Sequence, residues 1–151
     1  MTSWSHAAVA AAAILCCGPV AAQFKNADAA IEYRQGALAV MDNHYDRIGA
    51  MVKGKVPFDA AVAQANADLV VTLARLPWSA FVDGSDKGDT NARPEVWSQP
   101  DKFKAAAQRL QDATVKLAEA AKSGKPDALK TAFSATSDAS KSCHDDFRKK
   151  H

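Results

Sequence analysis

The chain has 151 residues, 48% hydrophobic, 24% charged and only 7% aromatic, a mixture that fits one soluble globular domain with an alanine-rich helical core. A balance of 19 Lys and Arg against 17 Asp and Glu leaves a formal net charge of +2, too weak a field for a nucleic-acid binder or a polybasic membrane anchor. Its 3 cysteines, two of them adjacent at Cys16 and Cys17, make a poor disulfide framework.

From Ala7 to Cys17 the sequence AAVAAAAILCC is an apolar run too short to span a bilayer, and Gly18-Pro19 closes it. Val20-Ala21-Ala22 then places small residues before Gln23, so residues 1–22 read as a secretory signal and 23–151 as the mature domain. The stretch Met1 to His6 has no Lys or Arg, and a buried N-terminal helix is the alternative. Neither Cys16 nor Cys17 follows a lipoprotein pattern, so no lipid anchor is expected. After cleavage Cys143 is the sole cysteine and the mature protein has no internal disulfide.

Four helical stretches follow. Ile31, Arg34, Leu38, Met41, Tyr45, Ile48 and Val52 recur at spacings of three and four, with Asn26 as N-cap and Gly54 as terminator. Phe58, Val62, Ala65, Leu69, Thr72 and Leu76 repeat the spacing until Pro77 stops it. Phe103, Ala107, Leu110, Thr114, Leu117 and Ala121 form the third stripe, starting near Ser98 or Asp101 and ending at Gly124. Pro126 opens the fourth, which carries Leu129, Phe133, Thr136, Ser140, Cys143 and Phe147. Each helix is expected to run roughly 20 to 26 residues. Short connections make helices one and two, and three and four, antiparallel neighbours, while Trp78 to Gln99 is a long, turn-rich loop. The expected fold is all-α, an antiparallel four-helix bundle with one long crossover loop.

Chemistry concentrates in Ser140-Lys141-Ser142-Cys143-His144. Cys143 lies on the inward stripe, and His144 is about 100° further round the helix. That is unsuited to a thiolate activated by its neighbour, and the scattered histidines are unsuited to structural zinc. Attachment of c-type haem uses C-x-x-C-H, two thiols forming thioethers and the histidine ligating iron. Here Ser140 replaces the first cysteine, on the same face as Cys143, so one covalent link at most is available. A buried inert thiol beside a surface histidine is the plainer alternative.

Several further segments carry a likeness: Gln23-Phe24, the run from Tyr33 to Leu38, Val52 to Lys55, Leu76 to Phe81, Ala92 to Trp97, and Cys143 to Lys150. On these residues the mature chain resembles the cytochromes c′, within the class II c-type cytochromes. Ser140 departs from the family pattern. The resemblance implies that His144 is the axial ligand to haem iron, Cys143 the single thioether donor, and Leu38 the residue facing the distal side. Low-spin relatives have methionine at the position of Leu38; leucine offers iron no lone pair, which implies five-coordinate, high-spin iron and an apolar pocket for NO and CO. Met41, one turn on, reads as core.

Arg34 is the only charged residue on its stripe. It is expected to meet a haem propionate, or else to pack its stem while its head reaches water. Trp78 and Phe81 resemble aromatics packing near the haem, and Arg148 a residue shaping the proximal pocket, though a basic residue also suits a helix C-terminus. Trp97 reads as a loop anchor, His44 as solvated and His151 as terminal. The resemblance further implies a periplasmic protein that binds gas or carries electrons to an unspecified redox partner. It implies a homodimer through the first two helices, where Ala37, Ala39, Ala61 and Ala63 would permit close approach. Nothing in the chain supplies the acid, base and nucleophile of an enzyme site. A rival expectation, resting on Ser140, is a helical module that holds haem non-covalently or not at all.

Overall fold

Asn26 opens the first helix as its side-chain oxygen accepts from the Ala29 N–H at 2.8 Å, and α1 runs Ala27–Val52. The computed structural model describes residues 23–150; the expected signal segment and His151 lie outside the described residues. Gly54, at φ 66°, ends α1 in a Schellman arrangement: its N–H donates to Met51 O at 3.0 Å and the Lys55 N–H to Ala50 O at 2.9 Å. Asp59 caps α2, Ala60–Leu73, by accepting from the Val62 N–H at 3.0 Å. Pro100 and Pro126 each stand in the first turn of a helix, α4 at Pro100–Lys122 and α5 at Pro126–Phe147. Between α2 and α4 the crossover contains a 3-10 turn, Pro77–Ala80, and a single-turn helix α3, Glu95–Ser98. Helix α4 starts between the expected Ser98 and Asp101, with Gln99 in the N-cap position. None of the described helices is long and apolar enough to cross a membrane.

The stripes expected for α1, α4 and α5 turn inward, with Leu110, Thr114 and Leu117 of α4 and Leu129, Phe133 and Thr136 of α5 all buried. The second helix does not follow. It has 14 residues, short of the expected length, and its expected stripe faces out: Val62 is 46% and Leu69 44% exposed. The buried face is Ala63, Asn66, Ala67 and Val70, continued by Ala74 and Pro77. Both stripes satisfy a 3.6-residue period, and small side chains win the inner face because they let the α2 backbone approach its neighbours closely. Ala63, expected on the outside, is therefore fully buried. His44, expected in solvent, is half-buried and bonds Asn66 Oδ1 through Nδ1 at 2.8 Å, while Asn66 Nδ2 donates to Val62 O. With the amide in that orientation His44 Nδ1 carries the proton.

Helix α4 packs on α5, α1 on α2, and α2 on α4; the contact of α1 with α5 is the sparsest of these helix pairings. One core cluster joins Ile48, Met51, Val70, Leu117, Leu129 and Phe133. A second joins Val96, Ala106, Cys143 and Phe147, with Phe81, Trp97 and Phe103 against it. Tyr45 braces α1 on α5: its ring stacks on Phe133 at 4.3 Å, and its hydroxyl donates to Phe133 O at 2.7 Å and shares a hydrogen bond with Ser137. Burial pushes its pKa up to about 12 from the ordinary 10.0. Between those values the unfolded chain loses the phenolic proton before the folded one. The contribution is therefore complete below pH 10 and falls as pH rises towards about 12. Urea midpoints measured across this range should decline in the native sequence and less steeply in Tyr45→Phe; equal slopes would contradict the assignment.

Candidate haem site

A cavity of about 460 Å³ lies where α1 and α5 separate, with α4 behind it and the crossover over its edge. All eight candidate residues line it: Arg34, Leu38, Trp78, Phe81, Ser140, Cys143, His144 and Arg148. Residues from four parts of the chain thus converge because the period of α1 and α5 turns Leu38 and Cys143 inward and the crossover brings Trp78 and Phe81 to the same end. The loop residues Thr90, Asn91 and Ala92 also line the cavity. Nothing periodic in the sequence marks Thr90 and Asn91, and Ala92 enters only as the start of a segment that carries the likeness, with no site role.

Ser140 and Cys143 stand one turn apart on α5, with Cys143 buried at 8% exposure. Burial pushes the Cys143 thiol up, an effect that nearby Arg109 only opposes. The side chain is accordingly a protonated thiol rather than an activated nucleophile. His144 is exposed and lines the cavity. Partial desolvation first, then the positive charge of Arg148, holds its pKa below the ordinary 6.5. Neutral imidazole is the form that can ligate a metal. Among the described residues no three His, Cys, Asp or Glu side chains are grouped as a metal site. A single imidazole beside a thiol on an apolar wall instead fits an iron whose other ligands belong to a porphyrin.

Arg34 is only 2% exposed, which removes the expectation that its head reaches water. Its Nη1 donates to Ala80 O at 2.9 Å and Ser85 Oγ at 2.7 Å, and its Nη2 to Ser85 O at 2.7 Å and Thr90 Oγ1 at 2.8 Å. The guanidinium lies 4.5 Å from the Phe81 ring centroid and 5.7 Å from that of Trp97. Burial lowers its pKa, yet an arginine remains charged throughout the physiological range. Its oxygen partners are neutral, so the positive charge on this wall is not cancelled by them.

Phe81 meets Phe103 edge-on at 4.8 Å, and Phe103 meets Phe147 at 5.2 Å, so aromatic rings continue from the crossover to the end of α5. Trp78 belongs to the same group through Phe81 and donates from Nε1 to Ala74 O. Trp97 anchors the loop as expected, donating from Nε1 to Val82 O at 3.2 Å. Arg148 caps α5, and its backbone pairs with Ala92 in an isolated antiparallel bridge. Met41, expected as core, packs against the first cluster and also reaches the cavity.

Fold and site together define a class: helical bundles with one cofactor-sized chamber between their first and last long helices, carrying a cysteine-histidine pair on its wall. Residues 29–148 match the protein family described as Cytochrome C′. The chain is 45% identical over 128 residues to cytochrome c′ of Alcaligenes xylosoxydans xylosoxydans, covering 85% of this chain and 99% of that protein. It superposes on the crystal structure of cytochrome c′ from Rubrivivax gelatinosus with a TM-score of 0.81 at 48% identity, covering 84% of this chain and 100% of the other. A nitric oxide complex of a leucine-to-isoleucine mutant of cytochrome c prime from Alcaligenes xylosoxidans gives 0.80 at 43% identity, covering 85% and 100%. The chain belongs to the cytochrome c′ family.

Proposed function

We propose that this protein is a periplasmic c-type haem protein that binds NO or CO, or transfers electrons, and does not turn over an organic substrate. The observation that carries the reading is the gathering of His144, Cys143 and Leu38 on the wall of one apolar chamber. Cys143 is the single thioether donor, because Ser140 at the other attachment position has no thiol to add across a vinyl group. His144 would supply one imidazole nitrogen to iron, and the hydrocarbon side chain of Leu38 would offer it no second ligand, which supports five-coordinate, high-spin iron. When bound, the haem supplies a Lewis-acidic iron that accepts small diatomic ligands and changes oxidation state. The uncancelled charge of Arg34 favours the carboxylate edge of a haem on its wall, and Arg148 tunes the surroundings of His144. Variants of the Alcaligenes xylosoxidans relative have been solved with nitric oxide and with carbon monoxide bound, which supports the choice of ligand. Residues 1–22 direct the chain to the periplasm, and their removal takes Cys16 and Cys17 with them.

Protein expressed with its leader should show a Soret band that shifts on adding CO to the reduced form, and the haem should remain with the chain in acidified acetone. A colourless folded protein would sink the haem reading. Ser140 favours a second reading, in which the bundle holds haem non-covalently or has lost it; release of all colour into the acetone would support the non-covalent form.

We also propose a homodimer through α1 and α2. Val62, Leu69 and Leu76 of the second helical segment, with Phe58 before it and Val40 of α1, leave large apolar side chains in solvent. Ala39 and Ala61 are exposed beside them, so two copies could approach closely. Leu69→Glu would place a charge in that interface and should convert the protein to a monomer with unchanged helix content. Sedimentation equilibrium checks this, and a wild-type monomer at tens of micromolar would overturn it.

A further inference from the structure

The crossover is fastened to the bundle at two places. On the α1 side Arg34 holds the backbone of Ala80, both oxygens of Ser85 and the hydroxyl of Thr90, while Gln35 Nε2 donates to Asp89 O at 2.8 Å. On the α5 side the Arg93 N–H donates to Phe147 O at 2.9 Å, the Lys149 N–H to Asn91 O at 2.8 Å, and Lys149 Nζ to Thr90 O at 2.9 Å. Residues 85–93 therefore form a strap from the wall that carries Leu38 to the wall that carries Cys143 and His144. Its Thr90, Asn91 and Ala92 border the cavity directly.

The two fastenings differ in kind. The α5 side combines two backbone pairings with side-chain bonds from Lys149 to Thr90 O and from Arg93 to Asp145 O, spread over several residues, whereas the α1 side depends heavily on one side chain. All four Nη hydrogens of Arg34 are used, on oxygens drawn from three loop positions 80, 85 and 90. Ser85 is fully buried and its hydroxyl passes the connection on by donating to Val82 O; Thr90 Oγ1 also accepts from the Ala92 N–H at 3.1 Å. The segment has no run of its own apolar core residues: Asp83, Gly84 and residues 86–89 are exposed, and Gly84 and Gly88 adopt positive φ. Such a loop keeps its shape through hydrogen bonds to the scaffold rather than through packing. Buried bonds to a charged donor are the stronger kind, and each acceptor left unpaired would carry its own desolvation cost.

We infer that Arg34 is the latch of this strap, a positioning residue that holds residues 85–92 closed over the cavity and so sets how fast a small molecule reaches the wall bearing Leu38. The fork is essential to the latch. Lysine keeps the charge but has three donors on one nitrogen, and cannot span the same acceptors from two nitrogens. Thr90→Val tests the other partner, removing one acceptor without changing charge or volume much.

Amide hydrogen exchange on the full protein, native and with Arg34→Lys or Thr90→Val, reads the latch. Stopped-flow CO binding to the reduced protein reads access. Amides of Ser85, Thr90 and Ala92 should exchange about tenfold faster or more in both variants. CO should combine several-fold faster, while amides around Leu117 and Leu129 stay as slow as in the native chain. Unchanged strap exchange in both variants, or native exchange in Arg34→Lys, overturns the latch. Faster strap exchange with an unchanged CO rate overturns its control of access, and acceleration throughout the core assigns Arg34 to general fold support instead. The access arm rests on the haem reading, the exchange arm does not. Should the protein prove colourless, uptake of an anilinonaphthalene sulfonate dye replaces CO, so failure of the haem assignment remains distinguishable from failure of the latch.

Discussion

Replacing Cys143 with alanine should abolish covalent haem completely. In a C-x-x-C-H site either thiol can add across a vinyl group, and loss of one leaves the other. Here Ser140 occupies the first position, so the thioether sulfur comes from Cys143 or from nowhere among residues 23–150. Colour retained by Cys143→Ala should leave entirely in acidified acetone, whereas colour from the native chain stays. The reciprocal change, Ser140→Cys, places a second thiol one turn away on the same cavity wall. It should raise the attached mass by no atoms, because an S–H addition conserves them, but it should saturate the remaining vinyl group. The pyridine haemochrome spectrum would then shift to shorter wavelength. An unshifted spectrum would mean that the Ser140 position does not face a vinyl group.

Leu117→Ala should produce a comparably large effect by a different route, on stability alone. Leu117 is fully buried in the cluster with Ile48, Val70, Leu129 and Phe133, on the part of α4 away from the chamber. Truncating a buried leucine removes its transfer free energy and leaves a void, at a cost of about 2–5 kcal/mol. A domain of this size has a total of about 5–15 kcal/mol, so a large part of its stability disappears. The urea midpoint should fall with an unchanged m-value, and the Soret position and acetone-resistant haem of the surviving folded protein should not move. A fall in m would point to a change in the compactness of one of the states instead.

Much of the site could be read from the chain because its chemistry is local. Cys143-His144 and the serine one turn before them lie on a single helix, where a 3.6-residue period fixes which side chains share a face. Leu38 and Arg34 follow by the same rule on α1. All of these line one chamber. The second helix shows where that rule stops. Val62 and Leu69 satisfy the inward period as well as Ala63, Ala67 and Val70 do, and intrinsic hydrophobicity favours the larger side chains. The close approach of backbones within the bundle reversed that preference, and the larger residues were left on the surface.

Arg34 shows the same division at a single residue. Its position on an apolar stripe announces that a buried charge needs partners, but the partners lie 46, 51 and 56 positions along the chain in a loop with no period. The sequence by itself determined the four helical stretches, the Asn26 cap and the glycine ends at Gly54 and Gly124, the inward faces of α1, α4 and α5, and the chemical character of the Ser140 to His144 turn, since each depends on residues within a turn or two of one another. Tertiary structure alone decided which face of α2 is buried, which oxygens satisfy the hydrogen-bonding demand of Arg34, and that residues 90–92 border the chamber. Those outcomes depend on backbone distances between segments far apart in sequence, and local periodicity contains no information about such distances.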